Sequence, residues 1–346
     1  MRPHVAGAVD PAGENPRKDW GLIYTVDSAE VRTVTLDELK EARSRIGGLV
    51  RETPLLECPF LSELAARPVF LKPENLQLTG SFKIRGGANH VLALEGVSGV
   101  VTASSGNHGQ AVAYAAREAG LPCTVVVPED AVKNKVEAIQ RWGAAVMRHG
   151  TLSSERKDRA RALAREEGLS FVDSTDDLLV IAGQGTLALE ILEQLPEVET
   201  IVTPIGGGGL ISGISAAAKL QRPETRVVGV EPEGSAAMYR SVEAGRRVTL
   251  EKVSTVADGL RTSRPGPLTF AHVTAFVDEI LLADEGDIIP LMLEFLEKSK
   301  LMVEPSGVVG ATAAARGLVP GSGPLVVVLS GGNVDLGFVA DSIRDK

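Results

Sequence analysis

One lysine, Lys83, sits in the stretch TGSFKIRGG, between a hydroxyl-rich approach and a helix-like continuation through Arg85, Ala88, Val91 and Leu92. A desolvated lysine amine can condense with a carbonyl group and so hold a reactive partner covalently. Three further stretches could serve such a site. Ser104, Ser105, Gly106, Asn107 and His108 form a polar loop directly after an apolar run, where α/β units place ligand contacts. The Asn107 amide can donate to a phenolate or carbonyl oxygen, and the serines can hold a carboxylate or relay a proton. The same peptide also suits a helix cap with a histidine packed below it, and His108 reads more readily as structural than as catalytic. Gly206, Gly207, Gly208 and Gly209 offer consecutive backbone N–H groups where a strand meets a helix, which can cradle a phosphate. Tight packing would ask for the same glycines. The run is neither GxGxxG nor a P-loop, which needs Lys and Ser or Thr directly after the glycines. In SGGN, Ser330 could hydrogen-bond a ring nitrogen while Gly331 and Gly332 admit a flat group; a capped turn is the competing account. Glu304, just before Pro305, is a helix-start carboxylate on one reading and a neighbour of the site on the other.

The elements that must position these residues read as βα alternation. Thr35 followed by Glu38 forms a capping box for a helix with Leu36, Leu39, Ala42 and Ile46 on one side. Arg51 to Cys58 reads as extended and opening onto a turn at Pro59, and Val69 to Lys72 as a strand leading into the Lys83 loop. Strands near 100–103, 124–127 and 170–172 alternate with helices near 109–118, 133–141 and 154–167, the pattern of a parallel sheet covered by helices. Gly183 and Gly185 precede a helix through Leu187, Ile191, Leu192 and Leu195; the strand TIVTPI then runs into the four glycines. After it come a helix at 211–220, the strand RVVGVEP, a short helix at 238–243 and a turn-rich stretch around Pro265 and Pro267. A helical segment at 287–298, a Gly/Ala-rich helix at 307–316 and the strand LVVVLS complete the series. Residues 1 to about 30, rich in Pro, Gly and charge, read as an extended arm.

Composition bounds the function. With 346 residues, 44% of them hydrophobic, the chain can bury two cores of ordinary size. A net charge of -9 without a basic run argues against nucleic-acid binding. The apolar runs have strand length, well short of the roughly 20 residues that cross a bilayer. Cys58 and Cys123 lack CxxC spacing, which suits a reducing compartment, and no secretory signal opens the chain, so a cytoplasmic location is expected.

In this order and arrangement TGSFK, SSGNHG, GGGGL and SGGN resemble the pyridoxal-phosphate enzymes of fold type II, most closely the threonine/serine dehydratase and serine racemase group. The resemblance spans nearly the whole chain from about Thr35. It implies an α/β, tryptophan synthase beta-like fold with two open parallel-sheet domains: 93–174 as the small domain, with 1–92 and 175–346 as the two parts of the large one. It also implies pyridoxal 5'-phosphate bound covalently at Lys83. Phe82 would pack against the cofactor ring, Asn107 would contact its hydroxyl and Ser330 its nitrogen, with Glu304 nearby. Gly206, Gly207, Gly208 and Gly209 would hold the phosphate. Ser104, Ser105, Gly106, Asn107 and His108 would grip the substrate carboxylate, with Ser105 a second catalytic hydroxyl on the face opposite Lys83. The implied reaction is loss of water and ammonia from L-threonine or L-serine in a homodimer or homotetramer. Serine racemisation and dehydration of another β-hydroxy amino acid, such as 3-hydroxyaspartate, are the rival activities, and a cofactor-free binding protein on the same fold is a rival of another class. In metal-dependent relatives a glutamate, a carbonyl four residues on and an aspartate two beyond hold a divalent cation; here these are Glu231, Ser235 and Ala237. Weak divalent-metal dependence is expected, with a monovalent cation near Glu231 as the alternative occupant. The chain closes shortly after SGGN, so the isoleucine feedback of relatives with a further regulatory domain is not expected.

Overall fold

A computed structural model describes residues 23–345. The first part of the expected arm, residues 1–22, lies outside the described residues. Its continuation is instead an antiparallel hairpin, β1 (Ile23–Val26) and β2 (Ala29–Arg32). The turn residues Asp27 and Ser28 both take positive φ, 48° and 67°, the hand that a two-residue hairpin loop requires. Helix α1 (Leu36–Ile46) opens on the capping box: Glu38 N donates to Thr35 Oγ1 at 3.2 Å and Thr35 N to Glu38 Oε2 at 2.9 Å. Next come β3 (Leu56–Glu57), α2 (Pro59–Ala65), β4 (Val69–Pro73) and α3 (Lys83–Leu92). The regular alternation follows as β5 (Val100–Ala103), α4 (Asn107–Glu118), β6 (Cys123–Val127), α5 (Lys133–Gln140), β7 (Ala145–Arg148), α6 (Ser153–Glu167) and β8 (Ser170–Phe171). The remainder is α7 (Leu178–Gln194), β9 (Thr200–Pro204), α8 (Gly209–Gln221), β10 (Arg226–Pro232), α9 (Ala237–Glu243), α10 (Pro267–Phe276), β11 (Glu279–Ala283), α11 (Glu285–Glu294), α12 (Pro305–Ala315), β12 (Leu325–Leu329) and α13 (Leu336–Arg344).

Several expectations are corrected. Pro59 and Pro267 do not mark turns but occupy the first turn of α2 and α10, where a missing N–H leaves no helical bond unmade. Gly183 and Gly185 lie inside α7, not before it. A Cβ on Gly183 would stand 2.7 Å from Gly86 Cα, so the glycine lets α3 and α7 meet at their backbones. Sequence patterning marks neither β11 nor α13.

The strands form two larger sheets. One has six strands in the order β11-β10-β9-β12-β4-β3, parallel except for the β3–β4 pair. The other has four parallel strands, β7-β6-β5-β8. Both are covered on each face. In β12, Val326 and Val328 join one apolar cluster while Leu325, Val327 and Leu329 join another, as the period of two along a strand demands. Val100 and Val101 divide in the same way between the two faces of the smaller sheet. From β9 the chain builds outward on one side to β10 and β11, while β12 lies on the other side. The ends of β9 and β12 therefore open where the winding reverses, the place at which open parallel sheets take ligands. No helix among the described residues is long and apolar enough to cross a membrane.

Candidate active site

Lys83 is the first residue of α3. The loop before it is pinned to the end of β12: Phe82 N donates to Ser330 O at 3.0 Å and Gly332 N to Gly80 O at 2.9 Å. The Lys83 amine lies 5.2 Å from the Phe82 ring centroid and donates to Ser174 O at 2.7 Å. Burial pushes its pKa down to about 8, against the opposing charge of Asp173. A neutral amine is thus within reach near physiological pH, as nucleophile and as base.

The glycine loop reaches the same place through the residue that follows Ser174. A Cβ on Gly207 would meet Thr175 Cγ2 at 2.8 Å, and one on Gly208, whose φ is 92°, would meet Met238 Cε at 2.8 Å. Gly208 is the N-cap residue of α8, so the first N–H groups of that helix face the loop without intrahelical acceptors.

At the start of α4, Asn107 Nδ2 donates to Glu304 Oε1 at 2.7 Å, and Asn107 Oδ1 accepts from Asn333 Nδ2 at 2.8 Å. Glu304 is the N-cap residue of α12 and is held in place by its N–H, which donates to Gly331 O at 3.0 Å. Burial lifts the Glu304 carboxyl to about 7, with the Asn107 bond opposing. Ser330 is buried, and its hydroxyl has no partner among the described residues. Within the 104–108 loop, Gly106 N donates to Ser104 Oγ at 3.2 Å, while the half-buried Ser105 hydroxyl bonds to no described residue. His108 is buried with Nε2 3.3 Å from Val172 O. Burial, and next the charge of Lys83, push it down to about 3, so it is a neutral, packed histidine.

The structure thus gathers all four motif stretches around Lys83. It adds Ser174 and Thr175, in the run DSTDD between β8 and α7, which were not singled out in sequence, and gives Asn333, the last residue of SGGN, a partner in Asn107. Five consecutive Asp, Ser and Thr residues after a strand are a turn-and-cap signal, and only that much was readable.

The metal candidates behave differently. Glu231 Oε1 accepts from Met238 N at 3.0 Å and Oε2 from Tyr239 N at 2.7 Å, so both oxygens cap α9. Burial raises this carboxyl to about 8 despite those amides. The Ser235 hydroxyl donates to Leu260 O at 2.8 Å, which leaves its backbone carbonyl as the candidate ligand there, and Ala237 brings no oxygen from its side chain. This set falls short of the six or so oxygens that a hard divalent cation takes. Turnover is expected to survive chelator; collapse in chelator with recovery on adding Mg²⁺ would refute this.

The sequence profile described as "Pyridoxal-phosphate dependent enzyme" matches residues 46–331. An L-threonine ammonia-lyase of Thermotoga maritima is 42% identical over 316 residues, covering 90% of this chain and 79% of the relative. A serine racemase of Arabidopsis thaliana is 41% identical over 317 residues, 89% of this chain and 96% of the relative. Among solved structures, the serine racemase of Dictyostelium discoideum superposes with a TM-score of 0.83 at 39% identity, covering 88% of this chain and 99% of that one. The chain belongs to the pyridoxal-phosphate-dependent enzymes, in the fold type II group that includes threonine/serine dehydratases and serine racemases.

Pyridoxal 5'-phosphate is its cofactor, and the residues fit it. The loop 206–209 leaves side-chain-free amides for a phosphate. Around Lys83, Thr79 Oγ1, Ser81 Oγ and His108 Nδ1 are buried polar atoms with no partner among the described residues. Buried atoms of that kind are ordinarily satisfied, so their clustering marks a place built for a polar guest.

Proposed function

We propose that this enzyme eliminates water from L-threonine and L-serine and releases ammonia, giving 2-oxobutanoate or pyruvate. The coarser activity, pyridoxal-phosphate-dependent chemistry on a hydroxy amino acid, is common to its relatives named as threonine ammonia-lyases and serine racemases. The cofactor, when bound, supplies an electron sink for the pair left behind when the α-proton departs. Lys83 is assigned the removal of that proton, and its lowered pKa near 8 suits a base at neutral pH. Ser104 to Asn107 are assigned the substrate carboxylate. Glu304 and Asn333 fix the Asn107 amide from both ends and so direct its remaining N–H into the site.

One observation supports elimination over racemisation. Racemisation needs proton exchange on both faces of the substrate carbon, and Ser105 is the candidate for the second face. Its hydroxyl has no bonded group among the described residues to take its proton, and His108, with Nε2 on Val172 O and its pKa pushed down to about 3 by burial, is a weak base. Serine racemisation is kept as the second reading because racemases match the chain almost as closely as ammonia-lyases do.

The test follows 2-oxo acid release and enantiomer composition together, from L-threonine and from each enantiomer of serine. Ser105→Ala is expected to depress D/L interconversion by at least about a hundredfold, the usual lower range for losing a general acid or base, and L-threonine elimination far less. Wild-type interconversion of serine faster than pyruvate release would give the assignment to racemisation. Equal loss of both activities in Ser105→Ala would show that this serine only positions substrate.

A further inference from the structure

Five consecutive residues, Asp173 to Asp177, each fasten a different part of the site. Asp173 is buried, and both its oxygens accept from Lys157 Nζ of α6, at 3.3 and 3.1 Å. Arg161 Nη2 adds a bond at 3.5 Å from the same helix. The same carboxylate folds the segment back on itself: Oδ1 accepts from Thr175 N at 3.1 Å and from Asp176 N at 3.2 Å. Between these anchors Ser174 turns its carbonyl to the Lys83 amine at 2.7 Å. The side chain of Thr175 fills the space beside Gly207 and Gly209. Asp176 Oδ1 accepts from Thr269 N of α10 at 3.1 Å, and a Cβ on Gly208 would strike Thr269 Cβ, at 2.9 Å, as well as Met238. Asp177 caps α7 through Val180 N at 2.9 Å and meets His90 Nδ1 of α3 at 3.1 Å.

Two sites that ought to move independently are therefore referred to one turn. The lysine sits on a carbonyl whose direction is set by the turn. The backbone of the glycine loop rests on the side chain of the next residue. A carboxylate that accepts two amides and an ammonium ion while buried is held ionised. Burial alone would raise the Asp173 carboxyl, but Lys157 and those amides outweigh it and hold the group at about 2.

We infer that Asp173 is a positioning residue: through the 173–177 turn it sets both the resting place of the Lys83 amine and the seat of the phosphate-binding glycines. The inference rests on the reading that Lys83 and Gly206 to Gly209 hold pyridoxal phosphate. It assigns Thr175 to the phosphate end alone, Ser174 to the lysine end, and Asp173 to both. Oδ1 carries both amide bonds, so an asparagine could keep the turn while losing the ion pair with Lys157.

The experiment titrates cofactor-free protein with pyridoxal phosphate, and separately with pyridoxal, which lacks the phosphate. It follows the absorbance of the lysine-bound chromophore, together with the melting temperature of each apoprotein. Asp173→Ala is expected to weaken both ligands by about tenfold or more, the equivalent of one lost charge-assisted hydrogen bond. Thr175→Ala should weaken pyridoxal phosphate by about tenfold and leave pyridoxal near its wild-type affinity, since only the phosphate seat is loosened. Asp173→Asn should fall between wild type and Asp173→Ala, and Lys157→Arg, which keeps the ion pair, should retain nearly full affinity. If Asp173→Ala does not fold, Thr175→Ala and Asp173→Asn decide the matter. Unchanged affinity in both, or a Thr175→Ala loss shared equally by the two ligands, overturns the proposal. Wild-type protein that forms no chromophore overturns the reading of Lys83 itself and the proposal with it; a wild-type chromophore that the variants do not alter overturns the proposal alone.

Discussion

Lys83→Ala is expected to abolish the chromophore and to lower turnover by at least about a thousandfold, because one side chain is asked to act both as covalent anchor and as base. The fold should survive. Among the described residues the Lys83 amine makes a single hydrogen bond, to a backbone carbonyl, and removing a buried amine whose pKa is already depressed leaves only Ser174 O without its donor. Reduction of the holoprotein with borohydride and peptide mapping would locate the attachment directly, and an adduct on any other lysine would sink the assignment. The amine carries a second, pH-dependent expectation. Only its neutral form attacks a carbonyl, so the rate at which apoprotein forms the chromophore should rise with pH and level off above about 8. An ordinary exposed lysine would still be gaining rate well beyond that, toward about 10.4. A plateau at the higher pH would mean that Lys83 is solvated in the free enzyme and that burial does not activate it.

How much of this was legible in the residues depends on which atoms do the work. Runs such as TVVV and LVVVL announce strands buried on both faces, and β6 and β12 lie within a residue of where those runs place them. Side-chain chemistry was legible too: the lysine follows β4, the glycine loop follows β9 of the same sheet and the asparagine follows β5 of the other, all in motifs that could be read off the chain. What could not be read is chemistry carried by the main chain or by distance. Ser174 meets Lys83 through its carbonyl, which every residue has, and Thr175 acts by filling space under glycines. Pro59 and Pro267 are as apt at a helix start as at a turn, and nothing local separates the two. The surroundings of Glu231 were illegible for a related reason: its partners are two backbone amides of α9, which leave no mark in the sequence.

Charged residues are the clearest instance, because their ordinary place is the surface and Arg85 read only as part of a helix start. It is in fact fully buried, two residues beyond Lys83 on the same helix. Its guanidinium pairs with Glu74, Nε to Oε2 at 2.7 Å and Nη2 to Oε1 at 2.9 Å, and with Glu190, Nη1 to Oε1 at 2.5 Å and Nη2 to Oε2 at 2.9 Å. Lys72, also fully buried, closes the cluster on Glu190 Oε2 at 2.7 Å. Two cations face two carboxylates, so the group is neutral as a whole and intolerant of losing one member. Glu190→Gln would leave Lys72 and Arg85 with a single carboxylate between them, and stability is expected to fall by about 3–5 kcal/mol, a large share of the roughly 5–15 kcal/mol that holds a domain folded. The exposed pair between Arg43 of α1 and Glu193, which lies on α7 as Glu190 does, provides the contrast: Glu193→Gln should cost less than about 1 kcal/mol. Denaturant midpoints measure both. The double variant Lys72→Met/Glu190→Gln removes one charge of each sign and should lose less than the sum of its single variants, because Arg85 keeps Glu74 as its counter-charge. Since the cluster fixes the helix that begins at Lys83, any Glu190→Gln protein that still folds should also bind pyridoxal phosphate more weakly. A Glu190→Gln variant within about 1 kcal/mol of wild type would show that water, or a proton given up by Lys72, makes good the missing carboxylate, and that α3 is held by its glycine contacts with α7 instead.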